Sequence, residues 1–124
     1  MRLAQIFIIL LVLSLTILGQ TNRGGISGTV TDSAGAAIPG AKITVTNNGT
    51  NQSVVLTSSE EGVFSATSLE PVFYTVTAEA ANFKKSIVAD LKVDTATTQT
   101  VNIVLEAGNI GETVTIEAEA ALIN

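Results

Sequence analysis

From Ile26 onward apolar and polar residues alternate along the chain. In Ile26-Ser27-Gly28-Thr29-Val30-Thr31-Asp32, Ile26, Gly28 and Val30 fall on one side and Ser27, Thr29 and Thr31 on the other. A period of two with β-branched residues predicts a strand with one buried and one wet face. The segment Asp32 to Gly40 is dense in turn formers and carries Pro39-Gly40. The alternation then returns in 41–47. Asn48-Gly49 marks a second reversal, a third strand follows over 53–58, and Gly62, free to take positive φ, closes a third turn. Strands are predicted over 63–69 and 74–80, one broken strand or two short ones over 84–93, and a last clean core strand over 100–106 with Val101, Ile103 and Leu105 inward. No stretch after residue 20 repeats apolar residues at helical spacing. Short strands about every 8–12 residues predict an all-β fold: a seven-stranded antiparallel β-sandwich of immunoglobulin-like or transthyretin-like type, with its core inside 26–106. Residues 107–111 read as a linker, and 112–124 as a further extended segment.

The N-terminus follows another pattern. One positive charge, at Arg2, precedes the uncharged run Ile6 to Leu18, and small or polar residues follow from Gly19. That is the layout of an export signal, and the apolar run falls short of the roughly 20 residues that span a bilayer. The expectation is a signal helix over 1–19, cut after Gly19, then a flexible lead over 20–25. The leader also raises the mean hydropathy to +0.47.

Composition narrows the chemistry further. The chain has 124 residues, six basic against 11 acidic, a net charge of −5 with the acids scattered. That balance excludes the basic patch nucleic-acid binding needs. There is no cysteine, hence no disulfide, thiolate metal site or thiol nucleophile. There is no histidine, which removes the commonest general base and metal ligand. A serine nucleophile would lack its usual base. The expectation is a protein that is not an enzyme, with no catalytic residue, no metal and no cofactor.

Gly28-Thr29-Val30-Thr31-Asp32, Gly35, Ile38-Pro39-Gly40-Ala41-Lys42-Ile43-Thr44-Val45, Gly62-Val63-Phe64, Leu69, Pro71, Tyr74-Thr75-Val76 and Asn82-Phe83 fall in one order. The ordered set resembles the carboxypeptidase regulatory-like domain, a transthyretin-like or carbohydrate-binding-like sandwich, over roughly 25–106. In particular it looks like the version found at the N-terminus of Oar-like, TonB-dependent outer-membrane receptors. The resemblance implies an accessory domain, since the zinc ligands of the peptidase belong elsewhere and would require histidine. Two positions depart from the family pattern: Val72 where a glycine is usual, and Ala66 where an aromatic often stands. The local readings agree with the resemblance. Gly28 sits where a side chain would crowd a neighbour, and Tyr74 points inward and needs a partner for its hydroxyl. Phe64 and Phe83 are expected core aromatics.

The sharpest functional candidate is Glu112-Thr113-Val114-Thr115-Ile116-Glu117-Ala118, which resembles the TonB box of such receptors. A box of this kind works by strand addition: its main chain pairs with the edge of a partner and alternate side chains choose the register. The candidate partner-binding residues are Glu112, Thr113, Val114, Thr115, Ile116 and Ala118, and the partner is TonB or another periplasmic protein. The resemblance also expects threonine at Glu117 and proline at Ala121. An eighth strand of the sandwich, or a loose tail, is the competing reading. In such receptors a plug and barrel follow, so the sequence, ending at Asn124, is expected to be a receptor fragment, a truncated gene or a stand-alone domain. The implied location is the periplasm or outer membrane, with membrane contact only through the leader or a following barrel. The competing function is a secreted or cell-surface carbohydrate-binding or adhesion module, which few aromatics support: Tyr74 and four phenylalanines, Phe7 among them in the leader.

Other charged positions weigh less. Glu60-Glu61 reads as a solvated loop tip rather than a calcium site. Asp90 and Asp94 flank Leu91-Lys92-Val93 but lack a third ligand for a cation. Lys84-Lys85 reads as exposed rather than as an anion contact. Lys42 lies on a polar strand face, which weighs against a Lys–Asn isopeptide bond beside a buried acid, as some related sandwich domains form.

Overall fold

The computed structural model describes residues 1–14 and 22–118. The predicted leader cut, the start of the lead and the last six residues lie outside the described residues. Helix α1 runs Arg2–Ser14, and its side chains are exposed as far as Val12. Among the described residues no helix is long and apolar enough to cross a membrane.

Eight strands follow: β1 (Gly24–Asp32), β2 (Lys42–Asn47), β3 (Ser53–Thr57), β4 (Val63–Leu69), β5 (Phe73–Glu79), β6 (Lys85–Lys92), β7 (Thr98–Leu105) and β8 (Thr113–Glu117). They form a three-stranded sheet, β4-β1-β7, and a five-stranded sheet, β3-β2-β5-β6-β8. Among the described residues there are eight strands rather than the seven expected, because Thr113–Glu117 pairs with β6, and the sandwich is not antiparallel throughout as expected. β1 pairs with β7 in parallel, and β6 with β8 in parallel. The cause is the route of the chain, which leaves the larger sheet after β6, reverses through β7 in the smaller one, and returns beside β6. Alternation of side chains is the same in both kinds of ladder, so the sequence pattern does not carry the strand direction.

The alternating apolar residues meet between the sheets. Ile26, Val30, Val101, Ile103 and Leu105 from one sheet, and Ile43, Val45, Val76, Val88 and Leu91 from the other, are almost wholly buried. Phe64 and Ala66 join them from β4, whereas Phe83 is only half-buried at the margin. Gly28 faces this core, opposite Val101 on one side and Phe64 on the other. A Cβ there would run into the Val101 carbonyl.

The loops are tied by side chains. Asp32 Oδ1 accepts the N–H groups of Ala34 and Ala36, both at 2.9 Å, which shapes the β1–β2 turn. Gly40 completes that turn at φ 71. The Ser58 hydroxyl, buried, accepts the Ala41 N–H at 2.8 Å and donates to the Ile38 carbonyl at 2.7 Å, fixing where β2 begins. β6 is one strand with a bulge. Val76 faces Val88 and Tyr74 faces Leu91, so Ala89 and Asp90 stand together opposite Thr75, with Asp90 at φ 56.

Candidate functional site

The segment singled out in the sequence forms the edge of the larger sheet. Thr113 faces Lys85, Val114 faces Ser86, Thr115 faces Ile87, Ile116 faces Val88 and Glu117 faces Ala89. Thr113, Thr115 and Glu117 are exposed, while Val114 and Ile116 turn inward and are half-buried. Ile116 and the following Ala118 pack against the core. Period two explains this division: the outer face carries hydroxyls and the inner face aliphatics. All six candidate residues thus lie on or next to β8.

The start of β8 is anchored through residues whose role the sequence did not disclose. The Lys85 N–H donates to the Glu112 carbonyl at 2.8 Å, and the Lys84 N–H to the Glu106 carbonyl at 2.8 Å. The Lys84 ammonium lies 3.5 Å from the Glu112 carboxylate and 3.8 Å from that of Glu106. Lys84 therefore joins the end of β7 to the start of β8. Its stem passes so close to Gly108 that a Cβ there would strike it. Residues 107–112 are held as well: Ala107 bridges to Phe83, and Gly108 N–H donates to the Asn82 carbonyl at 3.1 Å. Lys85 pairs with Glu79 at 2.9 Å across the sheet. Both lysines are thus engaged, and the only sequence signal for it was the spacing of acids on strands not yet known to be neighbours. Such half-exposed ion pairs contribute about 0–1 kcal/mol each, so they orient β8 more than they hold it.

The remaining charged candidates stay apart. Glu60 and Glu61 are exposed at a loop tip. Asp94 pairs with Lys92 at 3.7 Å, and Asp90 is exposed at the bulge. Among the described residues no three His, Cys, Asp or Glu side chains converge as metal ligands.

The sequence also missed a cleft of about 390 Å³ at one end of the sandwich, between β3 and the end of β4. Val45, Leu69 and Tyr74 give it an apolar floor, and Arg23, Asn47, Gln52 and Glu70 line it with polar groups. Arg23 donates to the Ser68 carbonyl at 3.0 Å. Tyr74 is 4 % exposed, and its hydroxyl donates to the Glu70 carbonyl at 3.0 Å, the partner its inward position required. Burial pushes the phenol above its ordinary value of 10.0. In β6 the Ser86 hydroxyl is buried without a hydrogen-bond partner.

Fold and site together define a β-sandwich module that presents sheet edges and a cleft between β3 and the end of β4. The sequence matches the carboxypeptidase regulatory-like domain over residues 25–106, and the chain belongs to that family. The family is of a regulatory, binding type. A search of curated proteins gives no match. Among solved structures, a Bacteroides uniformis protein provisionally assigned to carbohydrate binding is 20 % identical with a TM-score of 0.56, over 68 % of this chain and 41 % of that one. A chain of a type II cohesin–X-dockerin complex from Acetivibrio cellulolyticus is 25 % identical with a TM-score of 0.50, over 68 % and 58 %. A hydroxyquinol 1,2-dioxygenase from Pseudomonas putida is 12 % identical with a TM-score of 0.56, over 73 % and 58 %. The matched region is thus well under two thirds of each of these chains. That one fold serves both binding proteins and an enzyme is the general case, and function is argued from the site.

Proposed function

We propose that this chain is a non-catalytic, exported interaction module, the N-terminal periplasmic part of a TonB-dependent outer-membrane receptor, and that Thr113–Glu117 is the strand it offers to a periplasmic partner. One observation carries the reading: among the described residues this segment is an edge strand with a single neighbour, half-buried aliphatics on one side and exposed threonines on the other. A strand held on one side either accepts a partner strand on its free edge or exchanges its neighbour for a new one. The apolar run behind Arg2 supports export. The absence of histidine and cysteine supports a role without catalysis.

The test is amide hydrogen exchange on the protein with and without a purified TonB C-terminal domain. Added protection at Thr113–Glu117 is the expected result. If the strand changes partners, Lys85–Ala89 of β6 loses protection at the same time; if the partner adds outside β8, β6 keeps it. Exchange unaltered by TonB throughout this region sinks the receptor reading.

A second reading, a secreted carbohydrate-binding or adhesion module, is favoured by the cleft with its apolar floor and polar rim. Calorimetric titration with neutral and acidic oligosaccharides tests it. Binding abolished by Gln52→Ala would move it ahead.

A further inference from the structure

We infer that β3 is a self-pairing edge, through which two copies of this chain join their five-stranded sheets antiparallel about a two-fold axis at Val55. At the two ends of the β2–β3 ladder, Ser58 N–H donates to the Ala41 carbonyl at 2.9 Å and Asn47 N–H to the Gln52 carbonyl at 2.8 Å. The register between them runs without a shift, from Lys42 opposite Thr57 to Thr46 opposite Ser53. Hydrogen-bonded and non-bonded pairs alternate in an antiparallel ladder. Val54 and Leu56 therefore turn their N–H and C=O groups to β2, and Ser53, Val55 and Thr57 turn theirs outward. Among the described residues β3 has no neighbour on that side.

Those outward groups are symmetric about Val55. Two copies paired there set Ser53 opposite Thr57 of the second copy, Val54 opposite Leu56, and Val55 opposite Val55. Every pair matches in kind: hydroxyl with hydroxyl, aliphatic with aliphatic, and no charge among them. Such cross-strand pairs are favourable. In the same register Glu60 and Glu61 fall opposite Thr50 and Gly49 of the second copy, so acids do not face acids.

The exposed side chains agree. Val54 is 47 % and Val55 59 % exposed, on opposite faces of one strand. Val54 faces inward, yet the opposing sheet, with three strands against five, does not cover it. The other edges differ. β4 is broken by Ser68 at φ 57, β8 ends in Glu117, and β7, though uncharged, buries Val101, Ile103 and Leu105 completely. β3 has no charge, proline or bulge, the devices that ordinarily keep an edge from pairing. The cleft beside Val54 supplies room for the inward side chain of an added strand, and Leu56 of the second copy enters it over Val45, Leu69 and Tyr74. Filled in this way, the cleft is closed to a soluble ligand.

The test uses the full chain, which has no cysteine of its own. Opposed hydrogen-bonded residues have Cα atoms about 5.5 Å apart, inside the range a disulfide bridges. Val55→Cys under mild oxidation is expected to give a covalent dimer. Val63→Cys, on β4 at a position 46 % exposed, is expected to stay monomeric. In sedimentation the parent chain is expected to dimerise, and Val55→Lys, which sets two cations face to face, to weaken the dimer at least tenfold with the circular-dichroism spectrum retained. A monomeric parent, cross-linking no better at position 55 than at 63, or association that survives in a folded Val55→Lys variant overturns the proposal. The last result would assign association to another surface, such as α1. If Val55→Lys does not fold, the cross-linking comparison decides.

Discussion

Tyr74 joins three roles in one side chain: it closes the core under β5, floors the cleft, and ties the β4–β5 connection through Glu70. It is the sole tyrosine, so absorbance near the phenolate band reports it alone. Its phenol is raised by burial above 10.0. A raised folded-state value means that the stability linked to this group is fully present below the unfolded value and is lost as pH rises through the folded one. The expected outcome is a spectroscopic midpoint above that of free tyrosine and a melting temperature that declines in the same alkaline range. Tyr74→Phe is expected to cost about 1 kcal/mol at neutral pH, through the lost hydrogen bond, and to flatten part of the alkaline decline. A midpoint at the ordinary value would contradict the burial. The need of this hydroxyl for a partner is legible in the strand pattern, because an inward tyrosine has to satisfy its O–H. The identity of the partner is not, since it is a backbone carbonyl in the preceding loop. Ser86 marks the opposite case: its position on an inward face is legible, but nothing in the chain announces that its hydroxyl lacks a partner.

Among the elements, β1 is the central strand of the smaller sheet, with β4 on one side and β7 on the other. The glycine within it is a packing requirement, since a side chain would meet the backbone of β7. Gly28→Ala is expected to cost about 3 kcal/mol, the upper part of the usual overpacking range, read as a lower urea midpoint at unchanged slope. A loss of only a few tenths would mean that β7 moves away freely. β8 contributes less. It adds Ile116 and Ala118 at the margin of the core and a ladder to β6 alone. A chain ending before Glu112 is expected to keep a cooperative melt at a lower temperature. Failure to fold would make β8 an integral strand and would weigh against its exchange with a partner. In the sequence this segment reads equally as a box, a strand or a tail, because a half-apolar alternation of five residues suits all three. Only the sheet edge left open by β6 separates them.

At the scale of the molecule, one core lies between sheets of unequal width, and α1 stays exposed outside it. Deleting residues 1–21 is therefore expected to leave the melting temperature within about 1 °C of the parent chain, by the usual scaling of melting shift with stability. A larger drop would mean that the helix packs on the sandwich. The unequal sheets also account for the two features that matter for partners. The overhang at β3 leaves Val54 uncovered, and that at β8 leaves Val114 and Ile116 half-covered. By itself the sequence determined the all-β class, the inward face of each core strand, the turns at Pro39-Gly40 and Gly62, and the family, because period two, turn chemistry and an ordered set of short motifs are local properties. The tertiary structure alone decided the eighth strand, the two parallel pairings, the lysine anchors of β8 and the open edge at β3. Each of these depends on which strands become neighbours across long stretches of chain, and side-chain alternation is the same whatever the neighbour.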